Sequence, residues 1–288
     1  MTLIKRSLLT TLLTSLFSFS AQAESFSLPI WKDKAEALGY ELPKAVGISL
    51  SYMTLEQDIN VNSIALSGLN LPDRIGLDMK ANGGMQKTDV MSIRADAWLF
   101  PFLNVYAIVG MLEGYSRASV EYNVTLDIPF LGPIKHKGDI PNFELALDGY
   151  IYGIGTVIAG GYGNAFALVD LSYTQTRLTV IEGEIDAIVV SPRIGYDFTK
   201  HGVPLRLWAG AMYQDVEQVL EGKVKDIDIG IPDGLVPDDA SFRVEQSLVT
   251  KWNPLLGMQY QVTDSWYLLG EVGLGDRKSA FLSIDHRF

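Results

Sequence analysis

The chain contains no cysteine. Disulfides, thiolate metal sites and lipid attachment through an N-terminal cysteine are therefore excluded. Histidine is nearly as scarce. His136, His201 and His286 are the only three, and no two stand at a ligand spacing, so a zinc site has no support. Cations are outnumbered, 23 Lys and Arg against 34 Asp and Glu, for a formal charge of −11. A chain this acidic has no electrostatic footprint for nucleic acid. Beyond residue 19 no apolar run approaches the ~18 residues that a spanning helix needs, yet 48% of the residues are hydrophobic. That apolar content is dispersed in alternation. A chain of this kind can still enter a membrane, because a closed barrel is the other way to satisfy every backbone group in lipid.

The two chain ends agree with that possibility. Lys5 and Arg6 precede an apolar stretch from Ser7 to Phe19 and a small-residue site, Ala21-Gln-Ala23. This pattern predicts an export signal over 1–23, cleaved after Ala23. The stretch is too short to span a bilayer core of ~30 Å. Removal of the signal, which carries Lys5 and Arg6, would leave 265 residues with a charge near −13. At the other end, Ala280, Leu282, Ile284 and Phe288 share one parity, and Ser279, Ser283, Asp285 and Arg287 the other. Successive strand residues face opposite ways, so this strand has one apolar and one polar face. It resembles the C-terminal strand of bacterial outer-membrane β-barrel proteins. The resemblance implies that Phe288 belongs to a signal read by the barrel-assembly machinery. It also implies a cell outer-membrane location, with the lipid bilayer and lipopolysaccharide as surroundings.

Between the ends, residues 45–288 repeat a hairpin rhythm that predicts an all-β fold, an antiparallel up-and-down transmembrane β-barrel of ten strands. Val46, Ile48, Leu50 and Tyr52 alternate with Gly47, Ser49 and Ser51 in the first strand, and Leu205, Leu207, Ala209 and Ala211 oppose Arg206, Trp208 and Gln214 in the seventh. Three connections are long, about 57–84, 117–143 and 221–245, and all follow odd-numbered strands. Those after even-numbered strands are short, as in bacterial barrels with short periplasmic turns and long outer loops. Trp98, Phe100, Phe102, Tyr106, Tyr196, Phe198, Trp266 and Phe288 lie near the short turns, where an interfacial girdle belongs. A soluble barrel or sandwich also gives alternation and turns, but explains neither the girdle nor the terminal aromatic. Residues 24–44 read as a periplasmic lead-in or a short plug, with a helical turn or two between Trp31 and Leu38.

The polar parity carries Arg94, Asp96, Asp148, Asp170, Arg193, Asp197, Arg206, Glu271, Asp285 and Arg287. If the apolar parity faces lipid, these face the lumen. There they form an ion-paired filling, a charged eyelet or a ligand site. A barrel near eight strands is filled by its own side chains, which favours the filling. Asp226 and Asp228, in an expected outer loop, share a face where two carboxylates can orient a water or bind calcium. They resemble the Asp–Asp pair of omptin proteases, ten-stranded outer-membrane enzymes that also use an Asp–His pair. The only adjacent Asp–His here is Asp285-His286, at the wrong end, and His136 stands apart between Lys135 and Lys137. The His–Ser dyad of lipid A deacylases has no counterpart. No catalytic constellation is complete, and no cofactor is implied. The expected outer loops are unusually apolar, with Leu126, Ile128, Phe130, Leu131 and Ile134 among Asp127, Lys135 and Lys137. Such anchors with a polar rim suit binding, or else pack on one another as a cap. The sequence thus points to a non-catalytic outer-membrane protein acting by surface binding or envelope structure. A narrow solute channel is the second reading and an omptin-like hydrolase the third.

Overall fold

A computed structural model of the chain describes residues 28–69, 74–128, 130, 132–226 and 237–288. The expected export signal, Leu131 and Asp228 lie outside the described residues. Among those described, one short helix, α1 (Lys32–Ala37), precedes twelve strands. They are β1 (Val46–Ser67), β2 (Ile75–Phe100), β3 (Leu103–Ile128), β4 (Gly132–Ala146), β5 (Gly149–Tyr162), β6 (Ala165–Leu178), β7 (Glu182–Asp197), β8 (Leu205–Lys223), β9 (Ser241–Leu248), β10 (Trp252–Gln261), β11 (Trp266–Leu274) and β12 (Lys278–Arg287).

Every pairing is antiparallel, and the sheet closes on itself. At the end bearing the tight turns, the ring runs β1–β2–β3–β5–β6–β7–β8–β10–β11–β12 and returns to β1. That turn-end ring has ten strands. Toward the opposite, loop end, two descending strands are each broken in two. β4 and β5 follow one another along β3, with the Leu147 N–H donated to the Gly114 carbonyl at the break. β9 and β10 both follow β8, but β9 also reaches across to β1. This reach closes the wall above the short β11–β12 hairpin, so closure leaves few free strand edges.

The side chains show why the barrel has two unlike halves. At the turn end Val46, Ile48, Leu50 and Tyr52 point out and are exposed, while Ser49 and Ser51 are buried. Past Tyr52 the apolar residues change parity. Leu55 and Ile59 are buried, and Glu56, Asp58 and Asn60 are exposed. The ladder to β2 runs without a slip from Val46↔Ala97 to Ile59↔Gly84, so the backbone has not turned over. On β8, Leu207 near the turns and Tyr213 in mid-strand point outward, whereas Val216 and Leu220 are buried further on. The turn half is thus apolar outside and polar inside, and the loop half is the reverse. The loop half is filled by Val120, Leu145, Leu147, Leu220, Phe242 and Val244, among others.

This corrects the reading of three long loops. Most of 57–84 and 117–143 is paired strand that carries the barrel beyond the turn half, and in 221–245 the two ends, 221–223 and 241–245, are paired strand. β1 has 22 residues and β2 and β3 have 26 each, whereas a tilted strand crosses a bilayer in ~9–11. The apolar residues Ile64, Leu66, Ile75, Leu77, Val124, Leu126 and Ile134 are unusual in loops but ordinary in strands with one face turned inward. Beyond Ile59↔Gly84 the wall divides: β1 continues on β9, and β2 continues only on β3. Gly83 stands at this point with φ of 82°, a left-handed backbone that glycine adopts without strain. The result is a three-stranded arm formed by Ile75–Ala81, Ala118–Ile128 and Gly132–Phe143.

Residues 28–44 cross the turn-end mouth. The Ile30 N–H bonds the Leu99 carbonyl, and the Trp31 ring lies 5.0 Å from Phe100. Tyr40 donates to the Gly161 carbonyl and Lys44 to the Ser265 hydroxyl. These contacts tie the segment to three separate turns of the ring.

Removing one anchor of the dry half tests the division. Phe242→Ala is expected to cost about 3–5 kcal/mol. Hydrogen exchange should rise in β8 and β9 around Leu220 and Val244, while the β11–β12 hairpin keeps its protection. Equal loss of protection in both halves would contradict the account.

Candidate functional site

The inward parity of the turn half assembles a connected polar group across the lumen. The Arg287 guanidinium donates to Asp96 at 2.8 Å, and Asn104 donates to the same carboxylate at 2.6 Å. Arg94 donates to the Asn104 side-chain oxygen at 3.1 Å and lies 3.7 Å over the Tyr106 ring. The Tyr106 hydroxyl donates to Asp170 at 2.6 Å, and Arg193 approaches the same residue at 3.9 Å. Arg193 then grips Glu271 with two guanidinium nitrogens, at 2.7 and 3.2 Å, while the Trp208 indole N–H donates to that carboxylate at 2.9 Å. Nearer the turns, Arg206 donates to Asp197 at 2.7 Å and to Gln259 at 3.0 Å. Charges withdrawn from water are tolerable only when paired and hydrogen-bonded, and here each guanidinium meets a carboxylate or an aromatic face. Gly257 permits one of these contacts, since a Cβ there would stand 2.3 Å from the Trp208 indole nitrogen.

Eight of the ten residues expected to fill the lumen are therefore joined in ion pairs or their direct extensions. Two are not. Asp148 sits at the break between β4 and β5, where its carboxylate accepts the Gly114 N–H at 3.4 Å. The break takes it out of the ladder that aligns the others. Asp285 accepts the Ser283 hydroxyl on its own strand instead of meeting an arginine. Trp98 and Tyr106, expected in the girdle, share the parity of Asp96 and Asn104 and face inward.

Two aromatic bands mark the outer surface of the turn half. Near the turns stand Phe102, Tyr162, Tyr196, Tyr260, Trp266 and Phe288. At the parity change stand Tyr52, Tyr150, Tyr152, Tyr173, Tyr213 and Trp252. The second band went unrecognised in the sequence because its members lie in mid-strand, away from any turn. Tyr52 donates to Asp89 and Tyr173 to Asp186, both at 2.7 Å. Each ring is thereby apolar below and hydrogen-bonded to a carboxylate above, an amphipathic placement typical of an interface.

Above this band lies a polar layer that sequence reasoning missed. Arg277, in the turn between β11 and β12, is only 2% exposed. It donates to Gln57 at 3.0 Å and to the Thr250 and Lys251 carbonyls. Among the described residues it forms no ion pair, and burial pushes its pKa down to about 10. Ser116 and Gln246 bond across the lumen at the same level. The dry core of the loop half lies beyond this layer.

At the loop end, Leu126 is 39%, Ile134 51% and Phe130 fully exposed, and Phe130 has a φ of 71° at the tip of the arm. Ile128, also near the tip, is half-buried. Leu126 pairs with Ile134, Thr125 with Lys135 and Asn123 with Lys137. The apolar anchors and the cationic rim thus occupy opposite faces of one small sheet. His136 pairs with Val124 on the inner face. Asp226 ends a single helical turn that follows β8, and no hydrogen bond or ion pair joins it to His136 among the described residues. At the other end, Phe288 is exposed, its N–H donates to the Val46 carbonyl at 3.0 Å, and its ring meets His286 at 4.5 Å.

No protein-family model and no curated protein sequence matches the chain. Solved structures that it resembles in fold are bacterial outer-membrane β-barrels. The outer membrane protein OprG of Pseudomonas aeruginosa is 9% identical, with a TM-score of 0.41 over 86% of this chain and 98% of that one. An outer membrane channel of Pseudomonas putida F1 is 11% identical, with a TM-score of 0.37 over 86% and 97%. The translocator domain of the autotransporter NalP of Neisseria meningitidis is 11% identical, with a TM-score of 0.38 over 89% and 93%.

The Arg193–Glu271 pair carries a sharp expectation. Glu271→Ala should cost about 3–5 kcal/mol, because it strands a buried guanidinium. The double variant Arg193→Met/Glu271→Leu should cost less than either single truncation. A thermal-unfolding series in which the double variant is the least stable would refute the pairing.

Proposed function

We propose that the chain is an integral protein of the Gram-negative outer membrane, with a closed lumen and a non-catalytic binding role carried by its loop-end arm. The membrane reading rests on the exposed apolar parity of the turn half, bounded by two aromatic bands. On this reading the turn end is periplasmic, lipopolysaccharide meets the upper band, and Phe288 presents its assembly signal to the barrel-assembly machinery. The segment 28–44 is then a lead-in that crosses the mouth rather than a plug that enters the lumen.

The binding role rests on one observation. The inner face of the arm is apolar beyond the packed core, with Ile75, Leu77, Val124, Leu126 and Ile134 in register. Phe130 stands exposed at its tip. Apolar anchors left uncovered outside a membrane favour a ligand or partner. A channel has less support, because the ion-paired layer and the dry core lie in series across the lumen. Catalysis has less still, since among the described residues no hydrogen bond or ion pair joins Asp226 to His136, the acid and base that the sequence offered.

Two measurements check this. Purified protein in planar bilayers should give no stable conductance; large steady channels would favour solute transport. Leu126→Ser/Phe130→Ser should lower the fluorescence of bound anilinonaphthalene sulfonate several-fold while gel heat-modifiability is unchanged. An unaltered signal would remove the arm as the binding surface.

A further inference from the structure

The lipid-facing surface of the turn half is not uniformly convex. On the outside of β6, β7 and β8, beside the β5–β6 turn, lies a trough of about 870 Å³. Its floor is made by Ala165, Ala167 and Ala209, small side chains among the larger Tyr162, Ile194, Tyr196, Leu207 and Leu256. Ile194 and Leu207 stand above that floor, with Ile194 paired between Ala167 and Ala209. The trough opens toward the turns between Tyr162 and Tyr196.

The chemistry changes abruptly at that opening. The Lys200 ammonium donates to the Gly163 carbonyl at 3.0 Å, one residue from Tyr162. The His201 ring lies parallel to Tyr196 at 6.0 Å, with its Nε2 at 2.9 Å from both the Tyr196 hydroxyl and the Asn164 amide. The nearest acid in sequence, Asp197, is already taken by Arg206 and Thr199. Among the described residues neither Lys200 nor His201 forms an ion pair. In a chain with a net charge of −11, a cation left without a carboxylate at the mouth of an apolar trough is complementary to an anionic head on an apolar tail.

We propose that this is a discrete site for one anionic glycerophospholipid of the periplasmic leaflet. An acyl chain lies along Ala165, Ala167 and Ala209, and the phosphate is held by Lys200 with His201, Asn164 and Tyr196 as hydrogen-bonding rim. The proposal rests on the membrane reading above. A free phosphate would make no use of the trough, and an uncharged chain none of Lys200.

Native mass spectrometry of the detergent-solubilised barrel, titrated with phosphatidylglycerol or phosphatidylcholine, tests it. One phosphatidylglycerol should be retained per chain, at least tenfold more tightly than phosphatidylcholine. Ala167→Trp/Ala209→Trp, which fills the trough, and Lys200→Gln/His201→Gln, which strips the head site, should each lower retention about tenfold. Both variants lie on the outer surface and should keep normal heat-modifiability. Glycerol 3-phosphate alone should not compete. Equal retention of the two lipids, insensitivity to both variants, competition by glycerol 3-phosphate, or a lipid-free dimer through this face would each overturn the site. Recovery of the protein in aqueous buffer without detergent would instead overturn the membrane reading itself.

Discussion

A single constraint organises this molecule. Side-chain direction in a strand alternates strictly, so the sequence must decide, position by position, which solvent each parity meets. Along β1 that decision is reversed between Tyr52 and Glu56 while the hydrogen-bond ladder to β2 runs on in register. One continuous wall therefore serves two environments. Where its outside is apolar, its inside must hold the polar groups, and these need partners. Where its outside is charged, its inside can be packed dry. The ion-paired lumen and the hydrophobic loop half are two consequences of the same reversal.

The two fillings differ in what they contribute. Buried ion pairs recover little more than their own desolvation and are weak as a source of net stability. Their effect in the turn half is to occupy a lumen whose walls must be apolar on the other side. Apolar packing around Phe242 and Leu220 contributes more per residue. Between the fillings, Arg277, Gln57 and the Ser116–Gln246 bond make a thin polar layer. It lies close to the outer band of tyrosines, so the lumen changes character at the level where the outer surface does.

Much of this was legible in the sequence. The apolar and polar parities of 46–52, 205–211 and 279–288 stand out in the sequence, and the last two place Arg206 and Arg287 inside without any structure. The loop half was read wrongly for a physical reason. Its strands have polar outward residues and an inward parity interrupted by Gln57, Gln86, Gln218 and Gln246, so they alternate less cleanly than the strands of the turn half. The bulges at Val61/Ser63 and Ala81/Gly84 then shift the phase within single strands. A search for the position at which apolar parity inverts, rather than for continued alternation, would have found these extensions. Asp148 and Asp285 show the opposite limit: parity gives a side chain its direction, but a strand break or a nearer hydroxyl decides its partner.

The absence of cysteine makes the reversal directly measurable, since a spin label introduced on a single cysteine is unambiguous. Labels at Ile48, Leu50 and Tyr52 and at Glu56, Asp58 and Asn60, in protein reconstituted in bilayers, would be compared for collision with oxygen and with a water-soluble nickel chelate. The first three should favour oxygen and the second three nickel, with the crossover between Tyr52 and Glu56. Lipid-like accessibility persisting through Asp58 and Asn60, or aqueous accessibility at Ile48 and Leu50, would contradict the account.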